Sequence, residues 1–318
     1  MDEKINNAVF ITGASGFLAL YVIAELLENN YRVYATDVRE HELSIVSHQA
    51  DNFFFVKDEF RKAKKDIEEL FQDNKETVFS TLHFAGISDA NTCEKNPLSA
   101  YDANVNLTME VLDFCKEQNI SKFYYPSTAL VYGENIINQS SSEESLINPL
   151  NFYAWTKYIT EKTIESFCAS FGLQATVMRF NNIIGYPLKT GTILSDIYRQ
   201  IRNGAKEVVI KNGNPVRDYI FVKDAVSALV FLLNRDSGSN FEVYNISSGK
   251  GVSAMEFARL VCTVNDLPTS FAKSQVPTDS HPPVLVLDNT KLKQTGWSSL
   301  YSIEASLQEI NGMMANPL

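Results

Sequence analysis

The stretch Val9-Phe-Ile-Thr-Gly-Ala-Ser-Gly-Phe-Leu-Ala19 decides the fold of this chain. The apolar run from Ala8 to Ile11 is typical of a buried parallel strand. The segment from Phe17 to Leu27 has the apolar spacing of a helix. Gly13 and Gly16 lie in the turn between them, where they permit a tight turn and a close approach to the backbone. A strand, a glycine turn and a helix form an arrangement that binds phosphate, because the first amides of the helix face the anion.

The turn has the spacing Gly-x-x-Gly-x-x-Ala, in which Ala19 is small enough for the helix to pack closely on its strand. A second predicted strand, Arg32 to Thr36, ends at Asp37. This acid lies about 20 residues beyond the glycines, where a carboxylate accepts both hydroxyls of an adenosine ribose. An ordinary strand–helix turn and an N-cap at a strand end are the alternatives for the glycines and for Asp37. The two features together favour a dinucleotide site.

Composition limits the class of protein. The 318 residues are 45% hydrophobic and 21% charged, as in a soluble globular protein with one or two domains. No signal core and no apolar run of ~18 residues is present, which predicts a cytoplasmic protein without a membrane partner. The net charge of −10 argues against nucleic acid as a partner. Four scattered cysteines lack metal-ligand spacing, so we expect reduced thiols and no metal: Cys93, Cys115, Cys168 and Cys262.

Strands and helices alternate along the first half of the chain. Further strands are predicted at 53–56, 77–84, 122–126 and 174–181, and further helices at 62–72, 100–116 and 152–171. This alternation predicts an α/β fold with a doubly wound parallel Rossmann sheet, whose ligands lie at the carboxyl ends of the strands. We expect an NAD-binding domain at 1–182 and a smaller C-terminal substrate-binding lobe at 183–318. A strand at 241–247 is a candidate to rejoin the main sheet.

A phenol and an ammonium, Tyr153 and Lys157, lie four residues apart on one predicted helix face. A phenol has a pKa near ~10, and a nearby Lys⁺ and an oxidised nicotinamide both favour its phenolate form. The Tyr-x-x-x-Lys pattern recurs by chance, as it does at Tyr158 and Lys162. A solvated pair on a helix surface is therefore an equal alternative when Tyr153 and Lys157 are considered alone.

The order of glycine turn, acid, strand-end hydroxyl at Thr128 and Tyr-x-x-x-Lys resembles the extended short-chain dehydrogenase/reductases, and within them the NAD-dependent nucleotide-sugar epimerase/dehydratase family, of the UDP-glucose 4-epimerase type. The resemblance covers nearly the whole chain. Further matching segments are His83-Phe-Ala-Gly86, Asn104-Val-Asn106, Val131-Tyr-Gly133, Tyr153 through Lys157 to Glu161, Arg179-Phe-Asn-Asn182 with Gly185, Arg217 to Asp224, Tyr244 to Gly249 and Gly296-Trp297.

The resemblance implies roles for individual residues. Thr128 bonds the sugar oxygen, Tyr153 is the acid/base and Lys157 activates it. Asp58 lies at the adenine, and Asn104 orders the loops around the cofactor. The implied NAD-binding residues are Gly13, Ser15, Gly16, Phe17, Asp37, Asp58, Ala85, Gly86, Asn104, Tyr153 and Lys157. The implied substrate-binding residues are Ser88, Thr128, Asn182 and Arg217.

Three of these segments have alternative interpretations. Asn182 and Arg217 match residues at the substrate diphosphate, a group that suits a bidentate guanidinium. Asn182 could instead form a turn, and Arg217 could pair with Asp218 or Asp224. His83 is interpreted as a strand-end packing residue rather than a catalyst.

The chain departs from the family in three places. Nucleotide-sugar 4,6-dehydratases carry Asp-Glu where this chain has Ala129 and Leu130, which cannot move a proton. The family arginine before the last lobe is absent from residues 276–281, and Lys273 is a candidate to replace it. Ser88 stands where some hexose epimerases carry lysine.

The sequence therefore predicts an NAD-dependent nucleotide-sugar 4-epimerase that acts through a transient keto-sugar on a nucleoside-diphosphate sugar. A nucleotide-keto-sugar reductase is the main alternative, followed by a non-sugar dehydrogenase of the same class and a non-catalytic NAD-binding regulator. The resemblance also implies a homodimer through the helices at 100–116 and 153–170. The sugar and the base stay open.

Overall fold

The computed structural model describes residues 8–40, 51–74, 77–134, 140–236, 238–277 and 283–315. Its central feature is a seven-stranded sheet with the strand order β10-β6-β5-β4-β1-β2-β3. The strands are β1 Ala8–Thr12, β2 Arg32–Thr36, β3 Phe53–Val56, β4 Ser80–His83, β5 Lys122–Thr128, β6 Gln174–Phe180 and β10 Phe241–Ile246. Strand β1 pairs in parallel with β2 and β4, β2 with β3, and β4 with β5. The predicted doubly wound α/β sheet is confirmed.

Helices connect these parallel strands. They are α1 Phe17–Glu28, α2 Phe60–Asp73, α3 Ala90–Lys95, α4 Pro97–Tyr101, α5 Leu107–Glu117 and α6 Phe152–Phe171. Asn151 begins α6, since its side chain accepts a hydrogen bond from the amide of Ala154, and Gly172 ends it in a left-handed conformation. Among the described residues, none of the helices combines the length and apolar character that a membrane crossing requires.

Aromatic packing fills the core on one face of the sheet. Phe10 on β1 is fully buried. The centre of its ring lies 5.5 Å from the ring centre of Phe114 on α5 and 6.0 Å from the ring centres of Phe60 and Phe71 on α2. Burial of a phenyl side chain stabilises a fold by about 2 kcal/mol or more. These contacts hold two helices on the sheet and leave its carboxyl-end loops to form the site.

One predicted helix is interrupted. The apolar pattern predicts a single helix at 100–116, but Asp102–Asn106 forms a π-helical segment between α4 and α5. The carbonyl of Asn104 in this segment accepts hydrogen bonds of 2.8 Å from the hydroxyls of Thr108 and Thr160. Such side-chain bonds replace part of the regular helical ladder, and π-helical turns are frequent at functional sites. The strand predicted at 77–84 is shorter in the structure, where it spans Ser80–His83.

The chain divides into two compact units. The first contains described residues within 8–131, 149–179 and 229–244, and the second those within 132–148, 180–228 and 245–315. The second unit carries the strands β7 Asn182–Ile184, β8 Val208–Ile210, β9 Val216–Phe221, β11 Gly251–Ser253, β12 Ala272–Ser274 and β13 Val284–Leu285. Its helices are α7 Ile193–Arg202, α9 Ala254–Val264, α10 Thr290–Gln294 and α11 Ile303–Ala315, while α8 Val222–Leu233 runs from the second unit into the first.

Candidate active site

The glycine turn after β1 is closely packed between two neighbouring segments. The amide of Gly13 donates a hydrogen bond of 2.9 Å to the carbonyl of Thr36. Gly13 has a φ of +73°, and a Cβ on this residue would lie 2.4 Å from the amide nitrogen of Ala85. Gly16 forms the N-cap of α1 and carries no side chain over the first helical turn. The turn is therefore a cradle that leaves room and helix amides for a pyrophosphate.

The carboxylate of Asp37 lies against this cradle. Its Oδ2 accepts a hydrogen bond of 3.0 Å from the amide of Ser15, and its Oδ1 accepts one of 2.9 Å from the amide of Arg39. The Ser15 hydroxyl donates over 2.6 Å to the carbonyl of Arg39. The predicted residues Ser15 and Asp37 thus lie together, with the first residue of α1, Phe17, close in sequence. The Asp37 side chain is only 9% exposed.

Asp58 lies after β3, at the same edge of the sheet. Its carbonyl accepts a hydrogen bond of 2.7 Å from the hydroxyl of Thr36, at the end of β2. Its side chain accepts from the amide of Glu59 over 2.8 Å and is partly exposed. The adjacent ends of β2 and β3 therefore present two carboxylates where the adenosine half of a dinucleotide is expected.

The loop after β4 is fixed by Asn104. Its Oδ1 accepts a hydrogen bond of 2.7 Å from the amide of Ile87, and its Nδ2 donates to the Ile87 carbonyl over 3.1 Å. The same Nδ2 donates over 2.9 Å to the hydroxyl of Thr156 on α6. A Cβ on Gly86 would lie 2.7 Å from Asn104 Oδ1. Asn104 therefore ties the loop after β4 to α6, and its role beside the cofactor stays a prediction. Ser88, beside this loop, is exposed.

The candidate catalytic residues lie at the end of β5 and on the first turns of α6. Burial raises the pKa of the Tyr153 phenol, the neighbouring Cys93 thiol raises it further, and a hydrogen bond with the Thr128 side chain lowers it. The Lys157 ammonium donates over 2.9 Å to the carbonyl of Pro126 and lies 4.4 Å from the centre of the Tyr125 ring. The strand end thus brings Thr128 and Lys157 to the side of the helix that carries Tyr153.

Burial lowers the pKa of Lys157 to about 8, and the carboxylate of Glu161 opposes this shift. The ammonium is therefore predominantly charged at pH 7. Lys157 lies one helical turn beyond Tyr153 on α6, and a nearby cation in general favours the phenolate form of a phenol.

The second Tyr-x-x-x-Lys pair has different surroundings. The Tyr158 ring lies 6.3 Å from the ring of Trp155, which is 47% exposed. Lys162 pairs with Glu165 over 2.8 Å instead of donating to the sheet. Tyr158 and Lys162 line an open groove on α6. The alternative description, a solvated pair on a helix surface, suits Tyr158 and Lys162 better than it suits Tyr153 and Lys157.

In the second unit, Asn182 is the first residue of β7, and Arg217 lies in β9, the strand with which β7 pairs. Asn182 Nδ2 donates to Asn181 Oδ1 over 3.0 Å and to the Asp218 carbonyl over 3.1 Å. Arg217 forms an ion pair with Glu134, and its Nη1 donates over 3.2 Å to the carbonyl of Pro283. Arg217 therefore pairs with an acid, but with neither of the two that the sequence suggested.

Those two acids have other partners. The carboxylate of Asp218 accepts hydrogen bonds of 3.0 Å from the amides of Ser248 and Gly249. Asp224 accepts from the amides of Leu300 and Tyr301. Both carboxylates serve to hold loops of the second unit.

Sequence reasoning missed several side chains in or next to the matching segments. Glu134 directly follows the Val131-Tyr-Gly133 segment, but its partner is 83 residues away. Glu161 and Arg179 belong to matching segments without an assigned role, and they form a buried ion pair of 2.6 Å. Lys273 is exposed on β12, opposite Val209 of β8. Much of the segment at 276–281, where the family arginine is missing, lies outside the described residues.

The chain is similar to known proteins over most of its length. Residues 9–247 match the model of the NAD dependent epimerase/dehydratase family. The chain is 28% identical over 284 residues to dTDP-D-glucose 4,6-dehydratase of Dictyostelium discoideum, which covers 83% of this chain and 63% of that relative. It is 25% identical over 314 residues to a putative UDP-glucose 4-epimerase of Methanocaldococcus jannaschii, covering 97% and 98% of the two chains.

A solved structure has the same fold. UDP-N-acetylglucosamine 4-epimerase of Methanobrevibacter ruminantium superposes with a TM-score of 0.85 at 21% identity, over 98% of this chain and 99% of that one. The match to the family model covers most of the chain and confirms the resemblance seen in the sequence.

Proposed function

The chain belongs to the NAD dependent epimerase/dehydratase family of extended short-chain dehydrogenase/reductases, whose cofactor is NAD, and we propose that it interconverts the C4 epimers of a nucleoside-diphosphate sugar. The reaction passes through a transient 4-keto-sugar. The observation that carries the proposal is the surroundings of Tyr153: the Thr128 side chain bonds its phenol, and the buried Lys157 lies one helical turn further along α6.

The glycine cradle fits the cofactor. A Cβ at Gly13 would lie 2.4 Å from the backbone of Ala85, so only glycine lets the turn pack this closely against the loop after β4, and Gly16 puts no side chain over the first turn of α1. The helix amides beyond Gly16 suit the pyrophosphate, and the Asp37 carboxylate suits the adenosine ribose. NAD, when bound, supplies the acceptor and donor of the sugar hydride.

The chain's own residues handle the proton. Tyr153 takes the proton of the C4 hydroxyl while the C4 carbon of the sugar loses its hydride. When the hydride returns to the opposite face of the C4 carbonyl, Tyr153 gives a proton back to the oxygen. Thr128 holds the sugar oxygen by a hydrogen bond. Lys157 stays cationic and stabilises the phenolate. Proton transfer by a positioned group such as Tyr153 is typically worth about 10²–10⁴-fold in rate.

A dehydratase is disfavoured by the residues after Thr128. Water loss from a 4-keto-sugar needs an acid and a base, which related dehydratases supply as Asp-Glu. Ala129 and Leu130 hold these positions in the short helix Ala129–Tyr132, and Ala129 is buried. Neither side chain exchanges a proton, so we infer that the keto-sugar is reduced again and not dehydrated.

The diphosphate of the substrate is assigned to the second unit. Arg217 offers a guanidinium, and Asn182 lies on the neighbouring strand β7, which pairs with β9. The ion pair between Arg217 and Glu134 means that a diphosphate must compete with a carboxylate for this cation. Lys273 on β12 is the proposed second cation in place of the missing arginine.

The test is an assay without added cofactor. Purified enzyme is mixed at catalytic concentration with UDP- and dTDP-hexoses, and C4 epimers are separated by chromatography. We expect interconversion by the wild type and none by Tyr153→Phe. Activity that requires stoichiometric NADH or NADPH and a keto-sugar would instead establish the second candidate, a nucleotide-keto-sugar reductase, which the absence of the family arginine at 276–281 favours.

We also propose a homodimer through α5 and α6. The groove on these helices has a volume of about 480 Å³. Its rim includes Met109, Trp155 and Phe171, each between 43% and 52% exposed. Large apolar side chains that lie together on one face are typical of a protein interface. Light scattering should give twice the mass of 35.7 kDa, and Trp155→Glu should reduce it to one chain; a monomeric wild type would contradict the proposal.

A further inference from the structure

A buried polar cluster behind the catalytic helix has no part in the proposed proton transfer. Glu161 on α6 accepts hydrogen bonds from two groups on neighbouring strands. Arg179 on β6 donates to its Oε2 over 2.6 Å through Nη2, and to its Oε1 over 3.1 Å through Nε. The hydroxyl of Ser127 on β5 donates to the same Oε1. The side chains of Arg179 and Glu161 are 6% and 2% exposed.

Stability alone does not account for this ion pair. Removal of two charges from water costs several kcal/mol for each ion, and apolar residues of similar volume often replace a buried pair without loss of stability. The position of the pair therefore suggests a second role.

The cluster joins the two elements that carry the catalytic groups. Ser127 lies between Pro126 and Thr128 on β5, and Glu161 lies one helical turn beyond Lys157 on α6. Lys157 donates to the carbonyl of Pro126 and Ser127 donates to Glu161, so helix and strand are joined at two successive levels. The distance between Thr128 and Tyr153 depends on this register.

The cluster also sets the charge around Lys157. The carboxylate of Glu161 raises the pKa of Lys157 against the effect of burial. Among the described residues, the other titratable groups around Lys157 are Cys93, Tyr125 and His83, with Tyr153 one helical turn earlier on α6. Burial lowers the pKa of His83 to about 3, so its ring is neutral. Burial raises the pKa values of the two phenols and the thiol, so they are neutral at pH 7 as well.

We propose that Glu161 is a positioning residue, which fixes the Thr128 end of β5 against the Tyr153–Lys157 face of α6 through Ser127 and sets a negative charge beside the Lys157 ammonium. Arg179 compensates this charge from β6 and keeps the carboxylate in place. The catalytic consequence rests on the proposed function, whereas the effect on Lys157 does not.

The experiment separates the two effects of Glu161. The pKa of Lys157 is measured in protein labelled with [¹³C]lysine, from the Cε resonance that disappears in Lys157→Arg. Glu161→Gln combined with Arg179→Met removes the charge next to Lys157 and leaves the net charge of the cluster unchanged. Ser127→Ala breaks the link to the strand and keeps the ion pair, and Ser127→Thr restores the hydroxyl.

The double variant should lower the pKa of Lys157 by about one unit, and the alkaline limb of the kcat profile should move to lower pH with it. Ser127→Ala should leave the pKa of Lys157 unchanged and lower kcat on the order of tenfold at unchanged KM, because a small misplacement of a catalytic group is costly. Ser127→Thr should recover most of the loss.

Either of two results overturns the proposal: a wild-type pKa of Lys157 in the double variant, or a wild-type kcat in Ser127→Ala. If the double variant does not fold, Ser127→Ala still decides, because it retains the ion pair. A wild type without epimerase activity refutes the proposed function, and the pKa of Lys157 then still tests the electrostatic role of Glu161.

Discussion

The hydroxyl of Thr12 at the end of β1 lies 2.6 Å from Nδ1 of His83 at the end of β4. The other ring nitrogen, Nε2, lies 2.9 Å from the hydroxyl of Thr108. Since Thr108 donates its own proton to the carbonyl of Asn104, it accepts from Nε2, and Thr12 then donates to Nδ1. These bonds are satisfied by a neutral ring. His83 therefore connects the ends of β1 and β4 with Thr108 on α5 and, through Thr108, with the π-helical segment.

This neutral histidine should make folding sensitive to acid. Burial lowers the pKa of His83 from 6.5 to about 3. Between these values the unfolded chain binds a proton that the folded chain does not, so the free energy of unfolding falls as the pH falls. At 1.36 kcal/mol per pKa unit, the advantage of wild type over His83→Gln should shrink by about 2 kcal/mol between pH 7 and pH 5.

The comparison with His83→Gln is needed because Asp218 acts in the opposite sense. Burial raises the pKa of Asp218 to about 6, so this group makes the folded state more stable as the pH falls through 6. Both proteins carry Asp218, and its effect cancels in the difference. Urea unfolding of the two proteins at several pH values measures this difference in the free energy of unfolding. A difference that does not change with pH would show that the pKa of His83 is the same in the folded and unfolded chain.

The neighbourhood of the glycine turn was predictable from the sequence because its determinants are local. Gly13, Ser15 and Gly16 follow a buried strand directly, and Asp37 ends the next strand in a parallel sheet of common order. The interruption at 102–106 was not predictable, since one of the two hydroxyls that donate to the Asn104 carbonyl belongs to Thr160, 56 residues further on.

The ion pairs show the same limit. Arg217 has acidic neighbours at 218 and 224, which the sequence offered as alternative partners, but the backbone amides of two loops donate to both carboxylates. Glu134 became its partner through the fold of the second unit. Likewise, Glu161 and Arg179 meet only because β6 pairs next to β5 beneath α6. Long-range partners depend on strand order and packing, which short patterns do not encode.

Tyr153→Phe should lower kcat by about 10²–10⁴-fold with little change in stability, because the ring remains and only the acid/base is lost. Tyr158→Phe is the matched control on the same helix and should retain wild-type kcat. Initial rates of epimerisation and thermal unfolding are measured for both variants. Inactivation by Tyr158→Phe, with Tyr153→Phe still active, would mean that the second Tyr-x-x-x-Lys pair performs the chemistry.

Gly13→Ala should lower the free energy of unfolding by about 3 kcal/mol or more and abolish NAD binding. The substitution has two costs: a side chain is strained at this positive φ, and the new Cβ would clash with the Ala85 backbone. Gly172→Ala separates these two costs. Gly172 has a φ of +76° at the end of α6, and a Cβ added there would have no atom within 4 Å, so its substitution should cost only about 1 kcal/mol. Chemical unfolding of both variants measures the difference, and equal losses would exclude a steric contribution from the Ala85 backbone.

The wild type should bind NAD more tightly than NADP. The carboxylate of Asp37 is held on the glycine turn by the amides of Ser15 and Arg39, so it cannot easily turn away from a 2′-phosphate. Like charges in such contact repel, and the Arg39 guanidinium, whose Nε lies 3.8 Å from Asp37 Oδ1, offsets only part of this repulsion because it is half exposed.

Asp37→Asn removes the charge and keeps one oxygen, which can accept a hydrogen bond from the amide of either Ser15 or Arg39. Its ratio of NADP to NAD affinity should rise at least tenfold, which corresponds to about 1.4 kcal/mol. Arg39→Ala should move the ratio in the opposite direction, since it removes the cation that attracts a 2′-phosphate. Calorimetric titration of both cofactors into the three proteins gives the six affinities. Tighter binding of NADP to the wild type would contradict the assignment of Asp37 to the adenosine ribose, and an unchanged ratio in Asp37→Asn would mean that this carboxylate does not face the 2′ position.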